Sequence, residues 1–204
     1  MLNNNKFLLA TNNAHKVEEI RAILHHSGWI LDSLASYGDL PEPEENGSTY
    51  QDNALIKARH YYGYTQRPCI ADDSGLEIDA MDGAPGLHSS RFGGATLPHA
   101  EKIAIILDLL RDVPEAKRTA RFRCCAVCVG LGQEPIIAER VCEGRIALAP
   151  SGVGGFGYDP IFYVEAAKCT MAELDAQRKN SLSHRGQAMR ALAALIREFS
   201  ETAQ

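Results

Sequence analysis

Residues 6–24 read KFLLATNNAHKVEEIRAIL, and the organisation of the chain follows from how this stretch divides. Lys6–Ala10 is a short apolar run of the kind a buried strand presents. Val17, Ile20, Ile23 and Leu24 then recur on one face of a helix, with the polar turn Thr11–Lys16 between the two. Gly28 supplies a stop signal, and Trp29–Leu34 reads as a second strand. A strand, a polar loop, a helix and another strand make the opening of an α/β protein.

Further along, Gly38–Gly47 is a proline-rich acidic loop, and Thr49–Tyr62 reads as a helix with Ala54, Leu55, Ala58 and Tyr61 or Tyr62 inward. Pro68–Asp72 and Glu77–Met81 read as strands around a polar corner at Asp72–Gly75. Pro98–Val113 is an amphipathic helix carrying Ile103, Ile106, Leu107 and Leu110. Thr119–Leu131 and Pro135–Leu148 make a long hairpin turning near Gly130-Leu131-Gly132. Ile161–Val164 is a further strand, Thr170 and Glu173 have capping-box spacing, and Ser183 is placed to cap a last helix. The apolar face of that helix includes Met189, Leu192, Leu195, Ile196 and Phe199. Because a hairpin interrupts the alternation of strands and helices, the expected fold class is α/β with a mixed sheet, not a purely parallel one.

The 204 residues suffice for one sizeable core, and the hydrophobic share of 45% excludes a disordered chain. The net charge of −5 gives no general attraction to a nucleic acid polymer or an anionic membrane, so any phosphate site must be a local basic cluster. No apolar run approaches the roughly 20 residues of a membrane helix, and MLNNNK lacks a signal-peptide pattern. The expectation is a single-domain cytoplasmic protein. Cys125 and Cys128 form a lone C-x-x-C inside a strand-like run, where cysteine acts as a small hydrophobe.

The chemistry-bearing segments are few. Thr11–Lys16 opens a helix, where free N–H groups and the macrodipole favour an anion and Lys16 adds a charge. Asn12 and Asn13 tolerate the unusual backbone angles of a phosphate-wrapping loop. Asp72 and Asp73, within IADDSG, can hold a hard divalent cation or poise one group as a base, and Glu44 or Glu45 can add a ligand. GVGGFG at 152–157 matches G-x-G-x-x-G but runs into Asp159-Pro160 instead of a helix, so the dinucleotide reading fails. What remains is a close-approach loop with Phe156 or Tyr158 available to stack on a base. Lys179, His184 and Arg185 gather three potential cations in KNSLSHRG. Together these features suit a metal-bound nucleoside polyphosphate.

TNNAHK-x-x-EI, the E-x-G-x-T…NA-x-x-KA pattern across Glu45–Ala58, ADDSGLEIDAMDGAPG, FGYDPIF and S-H-R-G stand here in one order. In that order they resemble the inosine triphosphate pyrophosphatase family, the house-cleaning dITP/XTP pyrophosphatases also called Ham1- or RdgB-type. The resemblance runs from Phe7 to about Phe199; one departure is Asn12, where many bacterial relatives have Gly. It implies hydrolysis of ITP, dITP and XTP to the monophosphate and pyrophosphate. It also implies a two-lobed mixed-sheet α/β fold with a central cleft, Mg²⁺ as cofactor, and a homodimer. Carried over by position, Thr11, Asn12, Asn13, Ala14, His15 and Lys16 would hold the triphosphate, with Lys57 adding a contact. Asp73 would be the metal-linked catalytic carboxylate, Glu44 the second metal ligand with Glu45 a near alternative, and Ser74 would lie beside the substrate. Phe156, Gly157, Tyr158, Asp159, Lys179, His184 and Arg185 would form the base pocket and its approach. A pyrophosphatase of different base preference, a phosphoribosyltransferase and a non-catalytic nucleotide sensor are the competing readings.

Overall fold

The computed structural model describes residues 5–202; the opening residues 1–4, on which part of the signal-peptide reading rests, lie outside the described residues. Seven strands form one sheet in the order β2-β1-β3-β4-β5-β6-β7. β1 (Lys6–Leu9) pairs in parallel with β2 (Ile30–Ser33) and with β3 (Cys69–Ile78). β4 (Thr119–Val129) and β5 (Ile136–Ile146) are the hairpin, and β5, β6 (Phe162–Val164) and β7 (Cys169–Thr170) pair antiparallel. The sheet is mixed, as the interrupted alternation implies. No helix among the described residues is long and apolar enough to cross a membrane.

The described residues divide into two compact units: 5–73, 124–140 and 185–202 form the first, and 74–123 and 141–184 the second. In the first, α1 (Ala14–Leu24) and α5 (His184–Thr202) contribute Val17, Ile20, Leu24, Met189, Leu192 and Ile196 to a core with Phe7, Leu9, Ile70 and Cys124. α2 (Tyr50–Thr65) starts at a Thr49–Asp52 capping box and buries Ala54, Leu55, Ala58 and Tyr61, the first of the two tyrosines anticipated. In the second unit α3 (His99–Leu109) packs Ile103 and Ile106, with Leu110 just beyond its end, against Leu76, Ile78, Phe122, Ile146 and Phe162. The short α4 (Ala176–Leu182) ends at Ser183, whose N–H donates to the Lys179 carbonyl just before α5 begins.

Three local expectations change. Asp72–Gly75 is not a corner, since β3 runs unbroken through it and Asp79–Met81 forms a 3-10 turn where a second strand was expected. A strand tolerates polar side chains when each finds partners on its own face, and both aspartates do (below). Leu195 and Phe199 lie at the edge of the apolar face of α5, 38% and 37% exposed, and Phe199 lies against Gly132, where a Cβ would meet its ring. Asn12 and Asn13 have ordinary negative φ, with Asn13 at −77°, so neither supplies a left-handed bend.

The cysteine reading holds. Cys124, Cys125 and Cys128 are buried in β4, and burial pushes the Cys125 thiol up to about 12 and the other two upward as well.

Candidate active site

In the first unit the site begins where α1 begins. Asn13 caps the helix by accepting from Lys16 N–H at 3.2 Å, and Thr11 Oγ1 accepts from Asn13 N–H at 3.2 Å. Asn12, Asn13, Ala14 and His15 are exposed, so the polar turn faces solvent. Asn12 is bound by its side chain, its Nδ2 donating to Glu42 Oε1 at 2.6 Å and tying the turn to the acidic loop. From the first turn of α1, Lys16 reaches β3 and donates to Asp72 Oδ2 at 3.0 Å.

Side chains alternate along a strand, so neighbouring aspartates must face opposite ways. Their partners show it. Asp72 meets Lys16 of α1 and Arg185 of α5, whose Nε donates to the same Oδ2 at 3.2 Å. Arg185 Nη1 donates to Glu19 Oε2 at 2.8 Å. Asp73 meets α2 instead: Lys57 Nζ donates to its Oδ1 at 3.1 Å and Asn53 Nδ2 to its Oδ2 at 3.3 Å. Asn53 and Lys57 stand four residues apart, one turn along the same helical face. Lys57 also donates to Glu45 Oε2 at 2.6 Å, and Asn53 Oδ1 accepts from Gly47 N–H at 2.8 Å, so α2 fixes the acidic loop as well.

The two carboxylates differ in electrostatics. Burial opposes the charge on Asp72, but Lys16, Arg185 and Lys57 hold its carboxyl well below the usual carboxylate range. For Asp73 burial prevails over the attraction of Lys57 and Lys16, and its affinity for a proton is raised. Burial also works against the ammonium of Lys57, yet Asp73, Glu45 and Asp72 raise its pKa above the ordinary value. Asp72 is thus a permanent anion and Asp73 the carboxylate readier to take a proton.

For a cation the relevant donors are carboxylate oxygens. Glu45 is occupied by Lys57, while Glu44 is exposed on the same loop. Among the described residues no group of three or more His, Cys, Asp and Glu side chains gathers to form an all-protein cage. Asp73 and the exposed Glu44 carry the hard oxygen donors that Mg²⁺ takes, an ion that keeps several waters and draws its remaining ligands from phosphate.

The second unit holds the glycine-aromatic segment. Asp159 Oδ2 accepts from Lys179 Nζ at 2.7 Å and from Phe156 N–H at 2.8 Å, and Lys179 Nζ stands 4.7 Å from the centre of the Phe156 ring. Gly155 has φ +67°, and a Cβ there would lie 2.1 Å from Asp159 Oδ2, so only glycine lets the loop close on that carboxylate. Gly157 follows with φ +66°. Tyr158 is not available to stack on a base: it is buried, its hydroxyl donates to the Ser89 carbonyl at 2.8 Å, and His99 meets its ring edge-on. Phe156 is the aromatic left half-exposed. His184 is buried, stacked on Phe122 at 4.6 Å, and Ser74 is half-buried in β3.

Of the residues expected to act together, the structure joins Lys16, Arg185 and Asp72 in one group and Lys57, Asp73 and Glu45 in another, both in the first unit. Phe156, Asp159 and Lys179 form a third group in the second unit. Asn53 and Glu19 stand within the quoted motifs without being singled out. The four-residue step from Asn53 to Lys57 is the signal that marks the first; Glu19 has none beyond its charge.

The Ham1 family model matches residues 7–195. A dITP/XTP pyrophosphatase of Halalkalibacterium halodurans is 46% identical over 92% of this chain and 96% of its own. One from Exiguobacterium sibiricum is 41% identical over 95% of this chain and 98% of its own. The solved structure of a HAM1 protein from Coxiella burnetii superposes with a TM-score of 0.85 at 41% identity, covering 95% of this chain and 98% of that one.

Proposed function

The chain belongs to the Ham1 family, and from that membership and the setting of Asp73 we infer that it hydrolyses the non-canonical purine nucleoside triphosphates dITP, ITP and XTP to the monophosphate and pyrophosphate. What carries the mechanism is a single carboxylate, Asp73, oriented by Asn53 and Lys57 and readier than usual to accept a proton. Asp73 takes the proton of the water that attacks the α-phosphorus, and the pyrophosphate leaves. Lys16, Lys57 and the exposed turn Thr11–His15 bind the triphosphate. Ser74 lies next to Asp73 in β3 and contacts the same substrate.

Arg185 presents a fixed guanidinium, and a donor there suits the 6-oxo group of hypoxanthine or xanthine and leaves the amino group of adenine without an acceptor. In the second unit Phe156 offers a face for a base, while Asp159, Lys179, Gly157, the Tyr158 backbone and His184 shape that segment. Asp73 would hold Mg²⁺ together with Glu44, which is exposed on the acidic loop, or with the neighbouring Glu45, which shares Lys57 with Asp73. When bound, the ion neutralises charge on the phosphates. The protein acts in the cytoplasm as a homodimer; a single-chain mass in light scattering would overturn the latter.

The test is pyrophosphate release from ITP, dITP, XTP, dATP and GTP with and without Mg²⁺. Turnover of the first three alone, requiring Mg²⁺, is expected, and equal turnover of GTP and ITP would refute the base selectivity. Pyrophosphate formed only from a phosphoribosyl donor with a free base would mark a transferase, and affinity without turnover a sensor. Glu44→Gln should weaken the Mg²⁺-dependent rise in melting temperature more than Glu45→Gln. The reverse order would move the ligand to Glu45.

A further inference from the structure

Asp72 takes no part in the mechanism above, yet it is the most completely buried charge in the first unit, with no side-chain exposure at all. A buried carboxylate survives only with compensating partners, and one is enough to avoid the worst of the cost. Two partners of Asp72 converge on one oxygen: Lys16 Nζ at 3.0 Å and Arg185 Nε at 3.2 Å both donate to Oδ2. Lys16 comes from the first turn of α1, and Arg185 from the first turn of α5, far apart in sequence. A third neighbour, Cys124 of β4, stands with its sulfur 3.9 Å from that oxygen. Two long, flexible cationic side chains thereby share one acceptor atom on β3, next in sequence to Asp73, while Arg185 is also bonded to Glu19.

We propose that Asp72 is the positioning residue that registers Lys16 and Arg185 against each other through one carboxylate oxygen, and so couples recognition of the triphosphate to recognition of the base. The proposal rests on the phosphate role of Lys16 and the base role of Arg185 given above. The physical reason is competition for charge on a shared acceptor. A triphosphate that draws on the Lys16 ammonium weakens its bond to Oδ2 and leaves more of the carboxylate to Arg185. The guanidinium is then held more firmly when phosphate is bound than when it is absent. Coupling between sites of this kind commonly amounts to about 5–150-fold in affinity.

Wild-type protein provides the first test, with inorganic tripolyphosphate as a probe that carries no base. The Arg185 Nε–H resonance, assigned by its loss in Arg185→Lys, should shift on titration in step with the Lys16 Nζ signal. A shift at Lys16 with Arg185 unmoved at saturation overturns the coupling. No shift at either overturns the phosphate role of Lys16, on which the proposal stands.

The second test is kinetic. Asp72→Asn should raise KM for ITP by about tenfold and lower the ITP-over-GTP ratio of kcat/KM by a similar factor, with a smaller effect on kcat. In Lys16→Met the further substitution Asp72→Asn should change KM by less than about twofold, because that route is already lost, while the selectivity still falls. A change confined to melting temperature or to kcat would reduce Asp72 to a structural or a catalytic role and overturn the proposal. If Lys16→Met alone leaves KM unchanged, it is the phosphate reading that fails. Should Asp72→Asn not fold, the tripolyphosphate titration decides.

Discussion

Asp73 Oδ1 and Oδ2 are each engaged by a different donor of α2, Lys57 and Asn53, and this fixes the plane of the carboxylate. Asp73→Asn keeps the shape of the side chain and removes its ability to take a proton. Pyrophosphate release from dITP should drop by about 10²–10⁴-fold, the usual worth of a positioned base, with the thermal melt nearly unchanged. A residual rate within tenfold of wild type would take Asp73 out of the chemistry. The acid beside it behaves differently. Asp72→Ala removes the shared acceptor from half-buried Lys16 and from buried Arg185, which keeps its bond to Glu19, and should cost roughly 3 kcal/mol in urea unfolding. A loss below 1 kcal/mol would show that water reaches the pair.

Among the elements, the glycine-rich segment makes the sharpest demand on its sequence. Gly155 brings backbone against Asp159, and the carboxylate in turn holds Lys179 over Phe156. Gly155→Ala both strains a left-handed residue and pushes the Asp159 carboxylate aside, which loosens its bond to Lys179. KM for ITP should rise about tenfold while kcat stays within threefold, measured by steady-state pyrophosphate release. An unchanged KM would detach this segment from substrate binding.

Much at this scale was readable from periodicity alone. The Val17, Ile20 and Leu24 spacing gave α1 its buried face, and the Thr119–Leu131 and Pro135–Leu148 runs gave the hairpin within two residues at each end. The acidic doublet misled because Asp-Asp-Ser-Gly has the composition of a turn. What keeps β3 straight is a set of partners on α1, α2 and α5, and such tertiary contacts leave no trace in local sequence. Tyr158 misled for a similar reason, since only the Ser89 carbonyl shows that its hydroxyl is spent inside the protein.

At the scale of the whole molecule, buried titratable groups set the limits of stability at both ends of the pH range. Asp72 has a folded pKa held below its ordinary value of 3.8, so its contribution is complete above that value and is lost as pH falls beneath it. The buried thiols of Cys69, Cys124, Cys125, Cys128 and Cys142 have folded values raised above their ordinary 9.0, for Cys69 to about 12 and for Cys142 to about 11. Their contribution is complete below pH 9 and drains away as the unfolded chain ionises above it. Melting temperature should therefore fall on the acid side below about pH 4 and on the alkaline side above about pH 9. Replacing Cys128 by Ala should soften the alkaline decline, and an identical slope would assign it to other groups.

The doublet in β3 shows how little residue identity decides by itself. Asp72 and Asp73 are the same amino acid, joined by one peptide bond, yet one is a permanent clamp and the other a proton acceptor. Odd and even positions alone tell them apart. A lineage that gained or lost one codon upstream within this strand would exchange the two occupations at a stroke, whereas the same accident at residues 38–41, ahead of the contacts made by Glu42, Glu45 and Gly47, would merely lengthen or shorten a tether. The gene should therefore tolerate changes of length between residues 38 and 41 far more readily than between residues 69 and 78, although the latter stretch costs no more nucleotides to alter.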